Sequence, residues 1–127
     1  MAYATRAQLD AALAPALLAQ LTDDTAGTTA DEAVIAEAMA QADAEMDLYL
    51  GQVVTTPLPQ VPPVLARIAV QLTIYFLYLR RNVADETRLA EYRNCTRILG
   101  EIAAGKLRLE ALTAETPEAS RLRLVAL

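Results

Sequence analysis

Few residues in this chain offer chemistry: three acids at alternate positions (Asp43, Glu45 and Asp47), one cysteine (Cys95), and arginines confined almost wholly to the second half. The acids could in principle hold a divalent cation. A helix, however, turns Glu45 away from the other two, because side chains share a face only at three- and four-residue steps. Hard-cation sites also draw their ligands mostly from loops. A solvated helix face is the better reading of the trio. The chain has no histidine, which removes the commonest general base and metal ligand together. Without a base, Cys95 reads as a small core residue. Four scattered glycines make no phosphate loop, and a lone cysteine cannot build a zinc site. The expectation is no enzyme, no cofactor and no metal. Arg80, Arg81, Arg88, Arg93 and Arg97 could form a nucleic-acid patch, but a net charge of −5 makes a poor phosphate neutraliser. These arginines should instead pair with acids, locally or across a subunit boundary.

The charge is divided along the chain. Between Arg6 and Arg67 there are nine acids and no base, whereas ten bases and seven acids follow from Arg67 onward. Such a division suits head-to-tail contact between copies. It equally suits a solvated acidic face beside ordinary surface arginines. The 127 residues allow one domain with a modest core. Alanine supplies much of the 54% hydrophobic content and aromatics only 5%, a composition for close-packed helices. One cysteine excludes an internal disulfide and fits a reducing compartment. Met1 to Asp10 lacks the basic start and apolar run of a signal peptide, so synthesis in a cytoplasm is expected.

The element that must organise the rest is Pro62 to Arg81. Two prolines open it at positions where no intrahelical N–H partner is needed, and two arginines suit the negative pole of its dipole. Leu65, Ile68, Leu72, Tyr75, Phe76 and Leu79 recur at helical steps, and Val64, Val70, Ile74 and Leu77 widen the stripe nearly all round. A helix this apolar is buried on more than one face. Its length approaches the roughly 20 residues of a membrane span. The uncharged run from Arg67 to Arg80 is nevertheless only twelve residues, which favours a buried helix and no membrane partner.

Around it, residues 3 to 21 read as a helical opening capped by Thr5 and restarted at Pro15. A polar loop follows over 22–29. Thr29 and Glu32 suggest a capping box for a second long helix, whose stripe is Ile35, Met39, Ala42, Met46 and Tyr49 and whose stop is Gly51. Residues 52–61 carry Pro57 and Pro59 and read as an extended loop, with a short strand over 53–55. A stiff, moderately apolar loop of this length invites a contact role for Val53, Val54, Pro57, Leu58 and Pro59. After the central helix, Asp85 caps another helix with an inward row of Leu89, Tyr92, Thr96 and Leu99 and with Cys95, Ile98 and Ile102 beside it. Gly100 within it permits close packing, and Gly105 ends it. Beyond Lys106 the pattern alternates, and Leu107, Leu109, Leu122 and Leu124 become the apolar teeth of a docking tail. A frayed terminus is the alternative.

The fold class is therefore all-α. It is a small bundle of about four helices around a central apolar helix (62–81), with an extended proline loop (52–61) and an extended or strand-like C-terminal tail. Residues 1–106 form the helical domain and 107–127 the docking tail.

The order of these pieces resembles a known family. Met1-Ala2-Tyr3-Ala4-Thr5 opens the chain, and an acidic helix ends in Asp47-Leu48-Tyr49-Leu50-Gly51. Pro57-Leu58-Pro59 and Val61-Pro62 follow, then Leu65-Ala66-Arg67-Ile68-Ala69-Val70-Gln71-Leu72 running into Tyr78-Leu79-Arg80-Arg81. A last helix carries Tyr92 and closes with Ile102-Ala103-Ala104-Gly105-Lys106-Leu107. This resembles the Mu-like prophage family of small head-completion proteins and, more loosely, the head–tail connectors of long-tailed phages, over most of residues 1–109. The resemblance implies a structural virion protein of the neck, assembled in the host cytoplasm as a ring that is commonly twelve-fold. Such a ring lies beneath the portal protein, meets a stopper or tail-completion protein below, and lets double-stranded DNA pass without specific binding. On that reading Glu37, Asp43, Asp47, Arg88, Arg93 and Arg97 are candidates for inter-subunit or lumen charges. A second reading is a small cytoplasmic helical adaptor or regulatory module that binds a protein partner.

Overall fold

The computed structural model describes residues 1–108, and within them five helices and no strand occur. Thr5 begins α1 (Arg6–Ala12) with a reciprocal cap. The Gln8 N–H donates to the Thr5 hydroxyl at 3.2 Å, and the Thr5 N–H donates to the Gln8 side chain at 2.8 Å. Pro15 then starts α2 (Pro15–Thr22) at the position where its missing N–H costs nothing. The long helix α3 (Glu32–Leu50) starts two residues later than a Thr29 box would place it. Asp31 is the cap, accepting from the N–H groups of Ala33 and Val34.

The central helix α4 (Pro63–Arg80) and the last helix α5 (Glu86–Ala103) end alike. Each closes in a left-handed residue, Asn82 at φ 57° and Gly105 at φ 78°. Val83 and Lys106 then return their N–H groups to Tyr78 and Glu101 at 3.1 and 2.9 Å, a Schellman closure both times.

Two apolar clusters fix the layering. One joins Ala42, Met46 and Leu50 to Leu65, Ile68, Ala69 and Leu72, and adds Tyr3, Cys95, Leu99 and Ile102. The other joins Ile35 and Ala38 to Val70, Ile74 and Leu77, beneath Leu9, Leu13, Leu18 and Leu21. The later half of α3 thus meets the earlier half of α4, so the pair is antiparallel. The α1–α2 elbow and α5 pack against that pair. By length and composition α4 could cross a bilayer, yet half of it is buried within the bundle. Thr73, polar in this core, donates its hydroxyl to the Ala69 carbonyl at 2.8 Å.

Several expectations are corrected here. Leu79 is 47% exposed and Tyr75 and Phe76 are half-buried, so the buried row of α4 runs instead through Leu65, Ile68, Ala69, Leu72 and Leu77. In α5 the inward row is Cys95, Leu99 and Ile102, because Leu89, Tyr92 and Thr96 sit on its flank. No strand forms over 53–55. The N–H groups of Val53 and Val54 both reach the Leu50 carbonyl, curling the chain into a turn. Gly100 serves no close approach, since a methyl group added there would meet nothing within 4 Å. Gly100→Ala should therefore raise stability by about 0.5–1 kcal/mol, read as an upward shift in a urea midpoint.

The polar loop between α2 and α3 is organised by one carboxylate. Asp23 accepts from the Thr25 hydroxyl at 2.7 Å and from the N–H groups of Thr25, Ala26, Thr28 and Thr29. The Thr25 hydroxyl bond is the chief reason this carboxyl is held well below the usual carboxylate range, followed by the backbone donors. A depressed acid stabilises above its unfolded value and loses that contribution as pH falls toward the folded one. Amide protection at Thr25, Ala26, Thr28 and Thr29 should therefore be flat above about pH 4 and decline below it. Asp23→Ala should remove that dependence in hydrogen exchange.

Candidate functional site

The residues singled out for chemistry turn out to pin the bundle together. Asp47 accepts the Tyr3 hydroxyl at 2.5 Å and lies 3.4 Å from the Met1 nitrogen, while Asp43 accepts the Tyr3 backbone N–H at 3.1 Å. Glu45 points elsewhere, as helical pitch demands, and accepts the Tyr92 hydroxyl of α5 at 2.6 Å. Burial pushes the Asp43 carboxyl upward, and burial followed by the carboxylate bond raises both tyrosines well above their ordinary range. Among the described residues no group of acids and cysteine is placed to hold a metal ion. Asp43 and Asp47 thus have an intramolecular task that their sequence positions do not announce. Glu37 is exposed on α3 beside a small recess that also touches Arg80 and Phe76.

The arginines divide likewise. Arg80 and Arg81 reach back to the C-terminal end of α2, donating to the carbonyls of Leu21, Gln20 and Asp23 and pairing with Asp24. They satisfy orphan carbonyls of a neighbouring helix as well as facing the pole of their own. Arg88 lies over the Tyr78 ring at 4.5 Å, and Arg97 pairs with Glu101 one turn on. Arg93 is exposed and has no acid within 4 Å among the described residues. Cys95 is buried in the first cluster, and burial pushes its thiol up to about 11, which suits packing and not attack.

The proline loop and the start of the tail come together at one end of the bundle. Val54, Leu58 and Leu107 pack inward on the first cluster, and the Leu58 N–H points at the Met1 sulfur at 3.1 Å. Val53, Pro57 and Pro59 face outward. Leu109, Leu122 and Leu124 lie outside the described residues. Leu48, which sequence reasoning passed over, is 73% exposed near the end of α3. Its signal was its place opposite the Ile35–Met46 stripe. Leu79 and Val83 are bare at the opposite end, where α4 closes.

The described residues thus define a small helical bundle, locked by long-range polar pins, with uncovered apolar residues at both ends. Its sequence fits the family described as Bacteriophage Mu, Gp36 over residues 3–126, and the chain belongs to that family. It is also 35% identical over 79 residues to the Mu-like prophage FluMu protein gp36 of Haemophilus influenzae. That alignment takes in 62% of this chain and 55% of the relative, so the match spans about half of the relative's length.

Proposed function

We propose that this phage protein is a structural head–tail connector. It forms a ring under the portal, commonly twelve-fold among such connectors, and joins the DNA-filled head to a stopper or tail-completion protein. The observation that carries this reading is the family match across residues 3–126. The geometry supports it from the side of chemistry. The acids that could have served catalysis are engaged in holding helices together, and Cys95 is buried in the core, which supports a structural role. Exposed apolar residues lie at both ends of the bundle, Leu48 and Val53 at one and Leu79 and Val83 at the other, as two axial partners would require. No cofactor or membrane takes part, and DNA passes without being read, since an acidic chain releases few counterions from phosphate. The site of action is the virion neck, reached from the host cytoplasm.

The purified full-length protein, mixed with purified portal, should bind as a species whose mass is that of the portal plus a fixed ring of copies. A single copy bound per portal assembly, or none, would contradict the reading. Binding instead to a cytoplasmic host protein would favour the alternative of a small regulatory adaptor.

A further inference from the structure

One side of α4 stays open. Arg67 and Gln71 line two grooves at once. The larger, about 410 Å³, runs against α1 between Ala11, Ala12, Pro63, Ala66 and Val70. The smaller lies against α5 beside Cys95 and Ile98. The two residues therefore form a crest between α1 and α5, on the side of α4 turned away from α3. Arg67 is exposed and has no acid within 4 Å among the described residues.

The opposite edge of the bundle belongs to α3. Met46 faces α4, Asp43 and Asp47 face Tyr3, and Glu45 faces Tyr92. The outward residues include Ala33, Glu37, Ala40, Gln41, Ala44 and Leu48, all exposed, on a helix with no basic residue. Glu37 has no base within 4 Å among the described residues.

We infer that the groove between α1 and α4 receives the α3 edge of a second copy of this chain, with Glu37 of the incoming copy set against Arg67. The charges are complementary: Arg67, which shares its smaller groove with Glu91, crowns the groove without an ion pair, and Glu37, which shares a recess with Arg80, lies on the edge without one among the described residues. Small side chains on both surfaces let helix axes approach closely. The two surfaces lie on opposite sides of the α3–α4 pair, so the contact is heterologous and propagates from copy to copy. The chain's own Arg121-Leu122-Arg123-Leu124 stretch is a poorer occupant, because its arginines would meet Arg67 with like charge. The inference rests on the ring of the connector reading and specifies its joint.

The test is disulfide trapping of the full-length chain in cells producing particles. Because α3 of the incoming copy runs antiparallel to α4, Glu37 opposite Arg67 sets Ala33 opposite Gln71. A Cys95→Ala background removes the thiol beside Gln71. On it, the double variant Ala33→Cys with Gln71→Cys should give a ladder of cross-linked multimers on oxidation, and each single variant should remain uncross-linked. Adding Arg67→Glu should weaken the ladder about tenfold or more, and adding Glu37→Arg as well should restore it. No ladder from the double variant would overturn the inference, as would a dimer from Ala33→Cys alone or a charge swap that fails to restore. Ala33, Glu37 and Arg67 are exposed and Gln71 is half-buried, and circular dichroism should confirm unchanged folding. A ladder in cells whose heads and tails join without this gene would keep the joint and remove the connector role. Failed joining without a ladder would do the reverse.

Discussion

Leu72→Asp is expected to abolish the folded state. Leu72 is fully buried at the middle of α4, inside the cluster shared by α3, α4 and α5. Its packing partners, among them Met46, Leu65, Ile68 and Leu99, are apolar. An uncompensated carboxylate there costs several kcal/mol, and the cavity left by the lost leucine adds to it. A domain of this size has about 5–15 kcal/mol in total to lose. Leu72→Ala provides the graded control, with a loss of about 2–5 kcal/mol and a lowered but cooperative transition. Circular dichroism at neutral pH should show little helix for the aspartate variant. A normally melting Leu72→Asp would place the core elsewhere.

Removing the Asp47 carboxylate should have the next largest effect. Tyr3 is only 2% exposed, and its hydroxyl has Asp47 as its acceptor at 2.5 Å. Asp47→Ala leaves that hydroxyl without a partner, at a cost of about 1–3 kcal/mol. Tyr3→Phe should cost less, because it removes the donor instead of stranding it. In the double variant the Tyr3→Phe change should cost almost nothing further, which gives a measurable coupling energy between two residues 44 positions apart. The amide of Leu58, which points at Met1, should exchange faster in Asp47→Ala, since the Met1–Tyr3 segment supports the proline loop. The pH dependence follows from the raised tyrosine. Its contribution is intact below the unfolded value of about 10 and is lost as pH climbs above it. The stability gap between the wild-type chain and Asp47→Ala should thus be constant below about pH 10 and narrow above it, as followed by urea midpoints across pH.

Most helix ends are legible where their causes are local, although Asp31 and not Thr29 caps α3. Thr5 with Gln8, Pro15, Gly51, Asp85 and Gly105 act within a turn of their own positions, and each marks a helix end in the structure. The apolar density of α4 likewise foretold a helix packed by neighbours on more than one side. What could not be read depends on distant partners. Tyr3 looks like a surface residue near the chain start until Asp43 and Asp47 are brought beside it. Arg80 and Arg81 look like caps for their own helix, but their hydrogen bonds go to carbonyls at the end of α2. The turn of α5 onto Cys95, Leu99 and Ile102 is only partly legible, because Tyr92 is both apolar and polar. Its ring stacks on Tyr75 at 4.3 Å while its hydroxyl seeks Glu45, which sets it at the rim and not in the core. The acidic trio shows the same limit. Spacing separated Glu45 from Asp43 and Asp47, but not that each would hold a different part of the chain.

The claim that this chain joins phage heads to tails is tested most directly by electron microscopy of particles made without it. The account predicts DNA-filled or leaking heads beside free, complete tails, with joining restored when the full-length protein is supplied. Intact particles with heads and tails joined at the normal frequency in its absence would contradict it.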